Sequence, residues 1–574
     1  MNKSARRSAP LILAAALALA AWSAHAEGEK FIRNFATKHS PRAETTRQLI
    51  VRFKDEPNTG RRTPMSFDRA RALSARAGVQ INPVRPMSGG AQVVSLPYAM
   101  PVDEAEKIAA SIAKDPNVLF AQADRWRHPM AVASDPSFNR QWYLSEPAGG
   151  INATGAWNIT TGSSSIVVAV VDGGVLPTNP DLNGRLIAGY DFIAPNNTTD
   201  PNNPSFSVFG PFATANDGDG RDPDPSDPGD WIAANEAGQA PFTDCVQDDS
   251  TWHGTHVTGV LGAAANNGFG IAGVDWNARL LPVRVLGKCG GLTSDIVDGM
   301  YWAAGFHVTG VPDNPAPANV LNLSLGATGS CSPMEQQAVT DLLGTHNVSA
   351  IVTSAGNNGD LNPPEDASQN APGNCIGVIN VAATTRTGSH APYSDTGTAV
   401  TISAPGGFFT ATSDPSDGIL AYTNCGTTSP IFSAQSCPIV SDRANPSAPY
   451  IGFFFTGTSA AAPQVTGVIS LMLAANPTLS STDVRNILKT AARPFPDSTC
   501  NTALCGAGIV DAGAAVNRAA TLSGGISVPP PHGGGGGGGG GGCTTVRGPA
   551  DLSLPLLAGL ALLGLRRKRR ADAH

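Results

Sequence analysis

The run Ile166-Val-Val-Ala-Val-Val171 is continuously apolar, almost wholly β-branched, and stops on an aspartate, Asp172. A strand with one wet face alternates apolar and polar residues, whereas an unbroken run is expected of a strand covered on both faces. Similar runs occur at Leu281–Val285, Val320–Leu323, Ala350–Thr353 and Val378–Val381. Helical stretches fall between them, at His253–Ala265, Asp295–Ala304 and Pro333–Leu343. Buried strands alternating with helices predict an α/β fold, a mostly parallel sheet flanked by helices on both sides. In such sheets binding sites form at the carboxyl ends of strands. Asp172 occupies one of those ends.

The ends of the chain set the compartment. Lys3, Arg6 and Arg7 precede an apolar stretch, Leu11–Ala21, and a small-x-small triplet, Ala24-His-Ala26. That is the pattern of a secretory signal peptide over residues 1–26. Residues 27–133 read as a separate small domain, with strands at Leu49–Phe53, Ala91–Leu96 and Val118–Ala121 and helices at Phe67–Ala77 and Val102–Ala113. With one more strand, unplaced by pattern, these make a ferredoxin-like α+β sandwich of the split βαβ kind. Residues 134–522 form the large α/β domain. Residues 523–542, with ten consecutive glycines, form a linker that cannot bury a core. Residues 543–574 carry Cys543, an apolar run Leu552–Leu565 and the basic cluster Arg566–Arg570. As a helix that run would span about 21 Å (~14 residues at ~1.5 Å each), short of a ~30 Å hydrocarbon core. A net charge of −7 offers no basic surface for a polyanion, so nucleic acid is excluded as a partner. In an exported chain the nine cysteines read as disulfides. Neighbour pairing gives Cys245–Cys289, Cys331–Cys375, Cys425–Cys437 and Cys500–Cys505, although connectivity does not follow from sequence.

Two further polar positions join Asp172. His253 lies in His253-Gly-Thr-His-Val-Thr-Gly259 at the start of an apolar helix, where Gly254 permits close approach. Ser459 lies in Gly457-Thr-Ser-Ala-Ala-Ala-Pro463, just before the helix expected over Pro463–Ala474. A serine hydroxyl is a weak nucleophile near neutral pH. It needs a neutral imidazole to take its proton, and the imidazole needs an anion to fix its tautomer. Each residue alone has a plainer reading: a turn aspartate, one of a metal-binding histidine pair with His256, a turn serine. A zinc hydrolase on His253 and His256 would want further histidine or carboxylate ligands.

Together, Val171-Asp-Gly-Gly-Val175, His253–Gly259 and Gly457–Pro463 resemble the three signature blocks of the subtilisin-like serine peptidases, in the family's Asp, His, Ser order. Gly174 departs from the threonine or serine usual there. The resemblance implies a secreted serine endopeptidase with Asp172, His253 and Ser459 as its triad. Thr353-Ser-Ala-Gly-Asn-Asn-Gly359 is similar to the family's oxyanion segment, which makes Asn357 the amide donor beside the Ser459 backbone N–H. The resemblance also implies that Ser324, Leu325 and Gly326 pair with the substrate backbone. Ser354, Ala355 and Gly356 are then the opposite wall of the primary pocket. Glu365 and Asp366 read as solvated loop residues that could instead reach its floor.

A structural Ca²⁺ follows by similarity to thermitase-like members. Its ligands would be the side chains of Asp135, Asp181 and Asn267 and the carbonyls of Ala264, Phe269 and Ile271. The acidic stretch Asp217–Asp230 starts like a calcium loop but lacks the terminal glutamate, and a solvated acidic turn is the equal alternative. Residues 27–133 resemble the family's inhibitory, chaperone-like propeptide, removed near Pro129–Ser134. The tail resembles bacterial spacer–hydrophobic–basic sorting signals, inserted in the membrane transiently or permanently. The implied partners are protein and peptide substrates, the chain's own propeptide and a C-terminal sorting protease, for a monomer at the cell surface or outside it. The contrasting expectation is a catalytically silent protein-binding scaffold on the same fold.

Overall fold

The computed structural model describes residues 45–55, 64–125, 132–345, 347–361, 365–410, 412–433 and 450–522. The expected signal peptide, glycine linker and C-terminal tail lie outside the described residues.

The N-terminal region runs β1 (Thr45–Phe53), α1 (Phe67–Ala77), β2 (Asn82–Pro86), β3 (Ala91–Pro101), α2 (Val102–Ile112) and β4 (Val118–Ala123). Its sheet is antiparallel in the order β2-β3-β1-β4, the expected split βαβ arrangement. Leu49, Val51, Val94 and Leu96 face Leu73 of α1 and Ala105, Ala109 and Ile112 of α2 across a dry core. Ser66 caps α1, its side chain accepting from the Arg69 amide, and Gly78 ends it at φ +70°. The strand that pattern did not place is β2. Pro83 and Pro86 hide its periodicity, and proline is tolerated because β2 is an edge.

The second region is built on a seven-stranded sheet in the order β13-β12-β10-β8-β5-β7-β6, with every pairing parallel. The strands are β5 (Val167–Asp172), β6 (Tyr190–Asp191), β7 (Arg279–Arg284), β8 (Val320–Leu323), β10 (Ala350–Ser354), β12 (Ile379–Thr384) and β13 (Ile402–Pro405), while β9 (Ala327–Thr328) and β11 (Asn370–Ala371) pair antiparallel outside this sheet. The uniform apolar run is explained by β5. Val168 and Val170 face one core with Val257, Val260 and Leu261 of α3 (His253–Gly262) and Val465, Val468 and Ile469 of α6 (Thr458–Ala475). Val167, Ala169 and Val171 face the other, with Met300 and Trp302 of α4 (Thr293–Ala303) and Val339 and Leu342 of α5 (Pro333–Leu343). Successive side chains point to opposite faces, so every position of β5 before Asp172 meets one apolar core or the other.

The strand order reverses between β5 and β8. From β5 the chain goes to the edge strand β6 and returns through β7 on one side, then crosses to β8 and moves outward through β10, β12 and β13 on the other. A crevice opens at such a reversal, at the carboxyl ends of the two central strands. Asp172 is the last residue of β5, and Ser324 follows β8. A two-stranded antiparallel unit, β14 (Ile419–Asn424) with β15 (Tyr450–Phe455), was not foreseen. The serine-bearing helix α6 also starts earlier than expected, at Thr458, with Pro463 inside it.

Three of the expected disulfides are present, Cys245–Cys289, Cys331–Cys375 and Cys500–Cys505. Cys425 is disulfide-bonded, and its expected partner Cys437 lies outside the described residues.

Candidate active site

Asp172 is 1 % exposed at the mouth of the crevice, and its Oδ1 accepts from the Gly173 amide at 2.7 Å. The same oxygen meets His253 Nδ1 at 2.8 Å. The approach depends on glycine: a Cβ on Gly254 would lie 2.1 Å from the Gly174 carbonyl. Gly174 itself has φ +94°, and a Cβ there would lie 2.7 Å from the Pro225 carbonyl of the acidic stretch. That accounts for glycine where the family pattern has threonine or serine: this backbone conformation is costly for any L side chain. Trp252, just before His253, has φ +51°, and its indole N–H is anchored to the Gly426 carbonyl at 2.8 Å. Burial alone pulls the His253 pKa down, but the Asp172 carboxylate beside it, with help from Asp230 and Asp227, leaves it raised above its ordinary 6.5.

Ser459 is the second residue of α6, where backbone amides have no intrahelical acceptor. Its hydroxyl donates to the Ser324 carbonyl at 3.1 Å, and the Ser324 hydroxyl donates to the Ser459 carbonyl at 3.0 Å. The second bond has a covalent cause. Pro463 has no N–H, so the carbonyl four residues earlier in the helix, that of Ser459, is left for a side chain to satisfy. Asn357 is oriented from the same turn: its Oδ1 accepts from the Thr458 amide and from the Thr458 hydroxyl, both at 2.9 Å. Its Nδ2 is thereby left as the donor available to the crevice.

Ser324, Leu325, Gly326, Ser354, Gly356, Asn357 and Ser459 line one cavity of about 350 Å3, together with Asn358 and Asn370. Ala355, expected in the wall, is instead fully buried in a small apolar cluster with Ala367, Ala382 and Val400. Consecutive residues leaving a strand point in opposite directions, so Ser354 faces the cavity and Ala355 cannot. Glu365 stands behind that wall, its Oε2 accepting from Asn358 Nδ2 at 2.6 Å. Asp366 caps the turn Ala367–Gln369, so neither carboxylate forms the floor.

The residues expected to hold calcium converge. Asp135 accepts from the amides of Asn266 and Asn267 at 2.8 and 3.1 Å. Asp181 accepts from the Ile271 amide at 3.0 Å and from Asn267 Nδ2 at 3.3 Å. Gly270 passes so close to the Asp181 carboxylate that a Cβ would lie 1.9 Å from its Oδ2. Burial pushes the Asp181 carboxyl up to about 8, and no Lys or Arg pairs with either aspartate among the described residues. The carbonyls of Ala264, Phe269 and Ile271 accept no hydrogen bond among the described residues. Oxygen donors left over around two buried carboxylates are what a hard cation requires.

The other metal readings fare worse. The His256 ring stacks on Phe455 and Phe453, at 4.8 and 5.7 Å between centroids, and burial pushes it down to about 3. It is a core histidine, and no group of three His, Cys, Asp or Glu among the described residues is placed to hold a metal. In the acidic stretch, Asp217 pairs with the buried Arg284. Asp222 and Asp224 accept backbone amides two residues on, as turn formers do.

Comparison with known proteins agrees with this geometry. Residues 163–517 match the model of the subtilase family. The chain is 38% identical over 500 residues to an extracellular protease of Xanthomonas campestris pv. campestris, covering 86% of this chain and 75% of that one. It is 36% identical over 484 residues to an extracellular basic protease of Dichelobacter nodosus, covering 83% and 71%. A solved protease structure from Pseudoalteromonas arctica superposes with a TM-score of 0.58 at 42% identity, over 68% of this chain and 100% of the other. A parallel sheet with its crevice at the strand reversal, and a family match over most of the chain, make the protein a member of the subtilase family, the subtilisin-like serine endopeptidases.

Proposed function

We propose that this chain is a secreted endopeptidase that hydrolyses peptide bonds through an acyl-enzyme on Ser459. Its relatives named extracellular proteases and the secretory pattern of residues 1–26 support export. The observation that carries the catalytic assignment is the 2.8 Å bond from His253 Nδ1 to a buried Asp172, at the mouth of the crevice that Ser459 also lines.

In this reading Asp172 holds the imidazole with its Nδ1 protonated, leaving Nε2 to take the Ser459 proton. The hydroxyl turns away from the Ser324 carbonyl, and Oγ attacks the scissile carbonyl. The new C–O bond forms as the carbonyl π pair moves onto oxygen. Asn357 Nδ2 and the Ser459 N–H donate to that oxyanion. His253 then returns the proton to the leaving amine as the C–N bond breaks, and water repeats the cycle on the ester. Main-chain pairing to residues 324–326 supplies affinity with little sequence choice.

Calcium bound by Asp135, Asp181, Asn267 and the three carbonyls would neutralise two buried carboxylates and fasten the start of the peptidase domain to the loop after α3. Residues 27–133 act as inhibitory propeptide, 134–522 as peptidase, 523–542 as linker and 543–574 as a sorting or anchoring segment. The test is casein cleavage by the exported chain beside a Ser459→Ala twin, with N-terminal sequencing of both. Wild type should cleave and start near residue 131, while the twin stays inert and keeps its propeptide. If the twin cleaves, Ser459 is not the nucleophile; if both fold and neither cleaves, the silent-scaffold reading replaces this one.

A further inference from the structure

Two cavities share the segment Ser324-Leu325-Gly326. The first, beside Asn357 and Ser459, is lined by neutral side chains. The second, of about 450 Å3, lies on the imidazole side and takes in Asp172, His253, Asp227, Asp230 and Glu335 with no Lys or Arg among its lining residues. An extended peptide paired along 324–326 sends successive side chains to opposite sides. The residue whose carbonyl reaches Ser459 then fills the first cavity, and the residue before it faces His253 and the second.

We infer that this second cavity selects a positively charged side chain on the residue preceding the scissile one, and that Asp227 and Asp230 set the preference. The inference deepens the proposed peptidase reading and rests on it. Asp227 is 5 % exposed, and the one hydrogen bond of its carboxylate among the described residues is accepted by Oδ1 from the Gly229 amide at 2.9 Å. Its Oδ2 has no partner among the described residues, and Asp227 lines the cavity. The neighbouring cation, Arg284, makes its hydrogen bonds to Asp191, Asp217 and the Ala215 carbonyl, so it reaches Asp227 only through its field. A carboxylate so buried and unpaired is costly unless a cation reaches it.

Asp230 fixes the rim. Its two oxygens accept from the Thr251 amide and hydroxyl, each at 2.7 Å, two residues before His253. The opposite wall, residues 287 and 289–291, is fastened by the Cys245–Cys289 disulfide. Lys288, between them, does not line the cavity: it is bonded to Glu236 at 2.6 Å and set over the Trp231 and Phe242 rings at 4.7 and 5.5 Å. No Lys or Arg lines the cavity, whose shape is fixed with the imidazole at one end; burial, then Asp230, push the Asp227 carboxyl up to about 7, and a cation bound there would favour its charged form.

The test uses mature wild-type enzyme and peptides that differ only at the position before the scissile residue: lysine, acetyl-lysine or alanine. The scissile residue itself is first chosen from a library. Acetyl-lysine keeps the four-carbon stem of lysine and removes its charge, and the alanine peptide controls for the added bulk. Lysine should exceed acetyl-lysine in kcat/KM by about tenfold or more at low salt, and the ratio should shrink several-fold in ~0.5 M NaCl. In Asp227→Asn the ratio should fall to within about twofold of unity. Equal turnover of lysine and acetyl-lysine peptides by wild type overturns the inference, whether or not the variant folds; so does an unchanged ratio in a folded Asp227→Asn enzyme. A Ser459→Ala control run alongside separates the two levels. Its activity would reject the nucleophile assignment, while the lysine ratio of wild type would still be read.

Discussion

The orientation of Asn357 makes a quantitative demand on Thr458. A carboxamide can present either its oxygen or its nitrogen, and only Nδ2 can donate to an oxyanion. Two donors hold the oxygen here, the Thr458 amide and the fully buried Thr458 hydroxyl, each at 2.9 Å. Thr458→Val keeps the shape and the amide and deletes the hydroxyl. One neutral hydrogen bond is worth about 0.5–1.5 kcal/mol, so kcat should fall by roughly 2–13-fold with KM little changed. Asn357→Ala removes the donor itself, and the loss should be about 3–4 kcal/mol, or ~10²–10³ in kcat, a magnitude already established for such an amide in this family. If the hydroxyl acts through Asn357, the two losses do not add, and Thr458→Val should cost almost nothing in an Asn357→Ala background. The assay is steady-state kinetics on one peptide substrate for the four proteins, with Tm recorded to confirm that each is folded. Additive losses would refute the argument, as would a Thr458→Val defect as large as that of Asn357→Ala.

The raised pKa of His253 places the acid limb of the kcat/KM profile above pH 6.5, because the base must be neutral and is lost as pH falls through its folded pKa. Asp230→Asn, which removes one of the charges raising it, should move that limb down; a wild-type limb below 6.5 would contradict the geometry. Chelation with EGTA should lower Tm, since at ~1,000 times Kd a bound ion stabilises by about 4 kcal/mol. Asp181→Asn should abolish the EGTA effect. An EGTA effect of the same size in Asp181→Asn would put the calcium elsewhere.

Much of this molecule was legible from residue order because its information is local. The unbroken run ending on Asp172 specified a doubly covered strand, and β5 has the alternation of two cores that such a run requires. The glycine at 254 marked where backbone approaches backbone, and Ser459 marked a hydroxyl at the start of a helix. Signals carried by pairing were lost. The strand β2 was hidden by two prolines that its edge position allows, and the partners β14 and β15 are far apart in the chain, with residues 425–449 between them. Ala355 was misplaced because a three-residue wall read from a motif ignores the alternation of the strand it leaves.

Sequence by itself thus determined the fold class, the identity of the candidate triad and the export pattern, since each depends on periodicity or on a short motif. Tertiary structure decided which carbonyl meets which hydroxyl across the Ser324–Ser459 pair, why Gly174 must be glycine against Pro225, and that Asp227 lines the imidazole side of the crevice, where no Lys or Arg joins it. Those outcomes depend on residues far apart in the chain, and on whether a buried charge finds a partner, which only the closed fold fixes.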